Sequence, residues 1–311
     1  MAAILATVLW SLKPIYVSAL KDTLSPGEIF FCAGIVSILA SCIGAVLVHR
    51  DLSKLLRAGH LRTTLKHCLF AGVLLSVWYI AFYAALSGSA SAQVTIISFT
   101  WPFFAIFAMR LFAPHLQRPL KKREYPFLAM AFLGAAITAS GENSNPLLLL
   151  FALAAALGSG FYLPFLSLAL ERVSDIVGSR LKASFIVVSI ANIMSFLVAT
   201  PVLLLSGISV IPTHAVSPGD WALLAAIGLF TYLAAELIWC WAICTTRSPT
   251  IAALPYFSPV ISIILLSVLA GASVPLEAIV GMGLILSANL ALHFEIAQKL
   301  LPVRGTVSQN S

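Results

Sequence analysis

The chain has 311 residues, of which 60% are hydrophobic and 9% charged, with a formal net charge of +7 and a mean hydropathy of +1.03. A soluble domain carries about 25% charged residues. A chain this apolar cannot cover a water-facing surface, so its main solvent must be lipid. The positive balance does not point to nucleic acid, because the basic residues fall in short loops between apolar runs.

A membrane-spanning helix needs roughly 20 largely apolar residues. In chain order, ten runs are predicted as spans: 2–20, 29–48, 68–87, 92–112, 126–141, 146–170, 183–205, 221–243, 249–270 and 276–297. The fold class expected is an all-α membrane protein in one integral bundle. The connections at 88–91 and 244–248 are short enough to force antiparallel neighbours. The first run starts at Ala2 and is long enough to span, unlike a cleaved signal peptide. The tail after Pro302 is polar and expected to fray. Cys32, Cys42, Cys68, Cys240 and Cys244 form no CxxC pair and lack a His cluster. They read as small buried thiols, with neither a metal nor a cofactor implied.

Lys and Arg in short loops set orientation. Arg50, Lys54, Arg57, Arg62 and Lys66 lie between runs 2 and 3, and Arg110, Arg118, Lys121, Lys122 and Arg123 between runs 4 and 5. Arg172, Arg180 and Lys182 lie between runs 6 and 7, Arg247 between runs 8 and 9, and Lys299 and Arg304 at the end. Ten spans put all of them on one face. The other face holds Lys21 with Asp22, Glu28, Glu142, Asp220 and Glu277. Both termini are therefore expected to be cytoplasmic, in a multi-pass protein of a bacterial inner membrane.

Runs 1 and 6 share a pattern. Trp10-Ser11-Leu12-Lys13-Pro14-Ile15-Tyr16 aligns with Gly160-Phe161-Tyr162-Leu163-Pro164-Phe165-Leu166. Runs 4 and 9 share another, Phe99-Thr100-Trp101-Pro102 with Tyr256-Phe257-Ser258-Pro259. The prolines recur at offsets of 150 (164 − 14) and 157 (259 − 102) residues. Each unit of five spans is odd, so the second enters the membrane upside down. The expectation is two inverted five-helix repeats, 1–145 and 146–311, an architecture of many secondary transporters. Pro14, Pro102, Pro164 and Pro259 are expected to bend four helices near the midplane. There they either line a pathway as kink and gating points or only shape packing.

Two ionisable residues sit deep in predicted spans, Lys13 in run 1 and Glu236 in run 8. At about 1.5 Å of rise per residue both fall near the membrane centre. A charge there is expensive and needs a partner or a wet cavity. One reading is an ion pair, or two separately neutralised charges, ordering the packing. The other is a binding site, with Lys13 for a substrate carboxylate and Glu236 for an amine or as the proton-coupling group. Trp78, Tyr79 and Tyr83 of run 3 join Trp101, Phe161, Tyr162, Tyr232, Trp239 and Tyr256 as mid-span aromatics. Taken singly each is ordinary packing. Together they suit a flat or cationic organic solute. Asn192 and Asn289 read as helix–helix hydrogen-bond groups, and Gly134 and Gly281 as close-packing positions.

The residues also carry a resemblance. Leu9-Trp10-Ser11, Trp101-Pro102 and Tyr256-Phe257-Ser258-Pro259-Val260 resemble segments of the drug/metabolite transporter superfamily, in its EamA-type branch. Within it the likeness is to the YddG-type aromatic amino-acid exporters. The resemblance implies ten helices, a central cavity between two repeats, and alternating access by rocking of the halves. Lys13 and Glu236 depart from it, being charged where the family pattern is uncharged.

The functions weighed are a secondary transporter exporting amino acids, aromatic or other, and a proton-coupled transporter of amines, nucleobase-type or drug-like solutes. A membrane receptor or assembly factor is the alternative outside transport. No enzyme is expected: Gly158-Ser159-Gly160 has no mid-membrane His as base, and no Walker-type motif is present. The partners expected are a small-molecule substrate, possible protons and the lipid bilayer, with no nucleic acid, in a monomer or homodimer.

Overall fold

The computed structural model describes residues 1–57, 59, 61–87, 91–116, 122, 125–140, 145–246, 254–271 and 273–300, some of them by backbone alone. Arg118, Lys121, Arg123, Glu142, Arg247, Arg304 and the tail after Pro302 lie outside the described residues, as do the side chains of Cys244, Tyr256, His293, Glu295 and Lys299.

The elements are helical throughout the described residues. They are α1 (Ala2–Leu20), α2 (Pro26–Leu47), α3 (His49–Arg57), α4 (Leu61–Leu86), α5 (Ser91–Ser98), α6 (Trp101–Phe112), α7 (Tyr125–Ala139) and α8 (Pro146–Val177). After α9 (Arg180–Leu205) come α10 (Pro218–Ala226), a π-helical segment (Ile227–Ala234), α11 (Ala235–Thr246), α12 (Ser258–Ala270) and α13 (Leu276–Leu300). Among the described residues, seven helices are long and apolar enough to cross a membrane, and three shorter apolar ones accompany them at Tyr125–Ala139, Ser258–Leu269 and Leu276–Ala291. This is an all-α, multi-pass membrane protein.

Helix starts follow local chemistry. Ser25 caps α2 by accepting from the Glu28 N–H while Glu28 accepts from the Ser25 N–H, with Pro26 in the first turn. Ser217 and Asn145 cap α10 and α8 by accepting from the Asp220 and Leu147 N–H groups, each followed by Pro. These side chains satisfy donors that a helix start leaves unpaired. Gly178 ends α8 at φ +74°, a left-handed conformation that glycine adopts without Cβ strain. The 32 residues of α8 rise about 48 Å, beyond the ~30 Å hydrocarbon core. The span expected at 146–170 thus continues as helix to Val177.

Four features differ from the sequence-based expectation. The loop between the second and third spans holds the amphipathic α3, with Leu55 buried and Arg50, Lys54 and Arg57 directed outward. Lys54 and Lys182 of α9 both donate to Asp51, at 2.9 and 2.8 Å. The prolines also divide into two kinds. Pro14 and Pro164 lie inside continuous helices, α1 and α8. Pro102 and Pro259 instead lie in the first turn of α6 and α12, each after a break: the turn at Phe99–Thr100 and the 3-10 turn Leu254–Phe257. A missing N–H costs nothing in a first turn, so proline starts these helices rather than bending them. Finally, the eighth span changes to π geometry over Ile227–Ala234, which resets the face on which Tyr232 and Glu236 point. Among the thiols, Cys32, Cys68 and Cys240 are buried as expected, but Cys42 is exposed on the outer surface of α2.

Candidate functional site

Lys13 and Glu236 are each 2% exposed. The Lys13 ammonium has no hydrogen-bond partner among the described residues. Its Nζ stands 3.8 Å from the centroid of the Trp78 ring and 4.7 Å from that of Tyr79. Phe82 and Tyr232 follow at 5.7 Å each. Four ring faces thus replace water around the cation, an attraction worth about 2 kcal/mol or more when desolvated.

Glu236 is held from the other side. Its Oε2 accepts a hydrogen bond from the Tyr162 hydroxyl at 2.9 Å, while Oε1 has no hydrogen-bond partner. The Trp10 indole N–H approaches this carboxylate but makes no bond of good geometry, and the Trp239 indole N–H is likewise unpartnered. Lys13 and Glu236 interact through space, yet among the described residues they form no ion pair: nitrogen and oxygen lie more than 4.0 Å apart. Two opposite charges therefore share one chamber without touching, with three unused donors and one unused acceptor between them.

The chamber wall is aromatic. Trp78 stacks on Tyr79 and Tyr162, with centroids 5.0 and 6.2 Å apart, and Tyr79 stacks on Tyr232 at 4.0 Å. Tyr83 and Tyr232 hydrogen-bond through their hydroxyls. Trp10 meets Trp101 and Trp239 edge to face at 6.4 and 5.4 Å. A cavity of about 10 Å³ opens among Trp10, Lys13, Trp78, Phe82, Phe99 and Trp101, room for about one water. Small-molecule pockets are typically ~300–1,000 Å³, so this conformation is closed around its charges.

Local structure explains the placement. Asn192 of α9 donates to the Tyr232 carbonyl at 2.7 Å and accepts from the Tyr79 hydroxyl at 3.4 Å. π segments gather at functional positions. Here one buried amide ties both tyrosines to α9. On α1, Ser262 and Ser258 of α12 donate to the carbonyls of Ser11 and Thr7 at 3.0 and 3.1 Å. They clamp α12 to the turns of α1 that lead to Lys13 and Pro14.

Nine of the eleven candidate residues come together here: Lys13, Trp78, Tyr79, Tyr83, Trp101, Tyr162, Tyr232, Glu236 and Trp239. Phe161 does not. It packs edge-on against Phe112 and is half-buried, about a quarter-turn of α8 away from Tyr162. The Tyr256 side chain lies outside the described residues. The sequence reading missed Trp10 and Phe82 among these residues, while Asn192 makes helix–helix hydrogen bonds as expected. The repeated segment around Trp10 and the i, i+4 spacing of Trp78 with Phe82 were available signals. Nothing in the sequence marks the carbonyl that Asn192 serves.

Residues 1–140 match the family model described as EamA-like transporter family. A solved structure described as "Crystal structure of protein" is 17% identical, with TM-score 0.63, and the match covers 96% of this chain and 97% of that one. At that identity the likeness shows a shared fold. No curated protein matches. Over its first 140 residues the chain is thus similar to a family of transporters.

Proposed function

We propose that the protein is a secondary transporter of small organic metabolites, working by alternating access between two inverted five-helix repeats, residues 1–145 and 146–311. The observation that carries this is the closed aromatic chamber. It is walled by α1 and α4 of the first unit and by α8, the π segment and α11 of the second, and it holds two buried, unpaired charges. Intramembrane charges of this kind mark substrate and ion pathways. The EamA-like match speaks for a membrane carrier of small solutes rather than a catalyst.

Support for the inverted repeat comes from paired close contacts. A Cβ on Gly72 of α4 would lie 2.8 Å from the Ala191 carbonyl and 2.7 Å from the Ser195 nitrogen of α9. Gly228, in the π segment, meets the Ala33 carbonyl and the Ser37 nitrogen of α2 in the same fashion. Gly160 of α8 packs on Trp101 and Ala105 of α6, as Ser11 and Thr7 of α1 do on Ser262 and Ser258 of α12. Gly134 of α7 and Gly281 of α13 pack on each other's carbonyls. These contacts match under one correspondence that pairs spans 1–5 with 6–10. The two broken spans, α5–α6 and the Leu254–Phe257 turn with α12, match as well. Discontinuous helices at a repeat interface are where transporters place their sites.

Amino acids, aromatic or other, are the first solutes to test, with Lys13 taking the carboxylate and Glu236 the ammonium. Export across a bacterial inner membrane, with both termini cytoplasmic, completes the reading. The test is uptake and counterflow in proteoliposomes with a panel of amino acids, amines and nucleobases, with and without a pH gradient. Transport of a panel member above empty liposomes is expected. No flux for any member would overturn the transporter reading.

A further inference from the structure

A seam of unpaired hydroxyls runs beside the chamber, between α2, α4 and α9. Ser37 and Ser41 of α2, Thr64 of α4, and Ser184 and Ser189 of α9 are each at most 7% exposed. Among the described residues their hydroxyls have no hydrogen-bond partner. Contacts between the helices set these residues in order. Cys68 and Ser76 of α4 hydrogen-bond to the carbonyls of Val187 and Ser195 of α9, both at a separation of 119 residues. The same separation puts Thr64 level with Ala183, next to Ser184. The second helix runs the other way: a Cβ on Gly34 would meet Phe196, and one on Gly44 would meet Phe185. Ser41 therefore falls level with Val188 and Ser189, and Ser37 with Asn192. Ser37 and Asn192 line a second cavity of about 10 Å³ together with Ser195, Tyr79 and Tyr232, room for about one water.

Each end of the seam meets something different. At the inner end, the stacked rings of Tyr79 and Tyr232 are shared between this cavity and the chamber, where they stand 4.7 and 5.7 Å from the Lys13 ammonium. The Tyr79 hydroxyl donates to Asn192 and interacts through space with Glu236. At the outer end, Thr64 and Ser184 lie in the first two turns of α4 and α9, beside the half-exposed Lys182 that donates to Asp51. The titratable groups along the seam are Asp51, Lys54, Arg180 and Lys182 outside, Cys68 midway, and Tyr79, Tyr83, Tyr232 and Glu236 inside. His67 of α4 is grouped with Lys66 and Arg172 instead, and Glu28 and Cys32 lie at the far end of α2. Buried hydroxyls in native interiors pair with protein or with ordered water. Serines packed dry would pair across helices, as Ser76 and Ser195 do. Ser37, Ser41, Ser184 and Ser189 do not.

We propose that this seam holds a file of bound water that carries protons between the face bearing Asp51 and Lys182 and the carboxylate of Glu236, apart from the route of the solute. A hydroxyl both donates and accepts, so hydroxyls and waters in alternation form a continuous chain. Each member takes a proton from the neighbour on its outer side and passes its own inward. The last transfer, beside the Tyr79 hydroxyl, makes the O–H bond on the free oxygen of Glu236. One proton enters the file and one is held by Glu236, and the reverse sequence returns it. The file deepens the transporter reading above and rests on it for its use.

Two measurements on the purified full-length protein test this, and neither needs a solute. The first is the melting temperature of Ser41→Ala and Ser189→Ala. A dry unpaired hydroxyl is a cost that alanine removes, whereas a hydroxyl bonded to water is a contact that alanine loses. Both variants are expected to melt at least about 2 °C below wild type, and no fall in either overturns the proposal. The second is infrared spectroscopy at about pH 5, with the Glu236 carboxyl identified as the C=O band that Glu236→Gln removes. Transfer to heavy water shifts that band as its proton exchanges. Exchange is expected to be at least about tenfold slower in Ser41→Leu, which fills the seam. Thr64→Val, which keeps the volume and loses one hydroxyl, is expected to slow it in the same direction and serves if Ser41→Leu fails to fold. Equal exchange in wild type and the variants overturns the proposal, as does the lack of any band that Glu236→Gln removes. Either failure leaves the transporter reading standing, whereas absence of solute flux in proteoliposomes counts against that reading alone.

Discussion

At the scale of single residues, Lys13 and Glu236 are coupled through space without contact. Removing one leaves the other as an uncompensated buried charge, a change of about 3–5 kcal/mol for buried pairs. Removing both restores neutrality. Lys13→Met is therefore expected to lower the melting temperature in detergent, and Lys13→Met with Glu236→Gln to recover at least half of the loss. Strict additivity in that double-mutant cycle would show two independent charges. Asn192 has a different task, donating to the Tyr232 carbonyl and accepting from the Tyr79 hydroxyl. Asn192→Ala should destabilise by about 1–3 kcal/mol, the cost of an unsatisfied buried polar group. It should also weaken solute binding, because Tyr79 and Tyr232 lose their common anchor. A loss of stability with binding unchanged would make Asn192 purely structural.

At the scale of elements, glycine sets how closely helices approach. A Cβ on Gly134 would stand 2.6 Å from the Gly281 carbonyl, so α7 and α13 cannot keep their spacing around a larger residue. Gly134→Val is expected to cost about 1–3 kcal/mol, as overpacking does, read as a lower melting temperature. Gly283 meets nothing within 4 Å, and Gly283→Ala on the same helix should leave stability within about 0.5 kcal/mol. Such glycines were legible as packing positions from their small-residue context. Which partner each one meets was not, because that depends on helices far away in the chain. The breaks before Pro102 and Pro259 show the same limit. Proline in an apolar run reads as a kink, and the choice between a kink and a new helix start rests on whether the preceding turn keeps its helical bonds.

At the scale of the whole molecule, polar contacts join the two proposed repeats at two places. At one, Glu28 of α2 accepts from the Ser209 hydroxyl at 3.2 Å. At the other, Asp51 of α3 accepts from Lys182 of α9 and from Lys54. The Lys182 hydrogen bond, followed by that from Lys54, holds the Asp51 carboxyl below the usual aspartate range. A carboxyl lowered by folding stabilises the fold above its unfolded value, about pH 3.9, and that contribution fades as pH falls toward the lower folded value. Asp51→Asn should therefore melt below wild type at pH 7, and the gap should close on acidification below about pH 4. A gap independent of pH would remove this contact from the account. For topology, a reporter fused at Ser308 should read cytoplasmic, and a periplasmic signal would overturn the ten-span orientation.

Hydropathy and charge alone determined that this chain lives in a membrane as a helical bundle, because the bilayer admits few backbone solutions and the positions of Lys and Arg bias their sidedness. Lys13 and Glu236 stood out for the same reason: a buried charge is conspicuous wherever apolar residues are the rule. The tertiary structure decided that the two share a chamber without pairing, that Trp10 and Asn192 belong with them, and that Phe161 does not. Those outcomes turn on the register of a π segment and on helices meeting across more than a hundred residues of chain. A side chain's direction becomes defined only once its helix has neighbours to pack against.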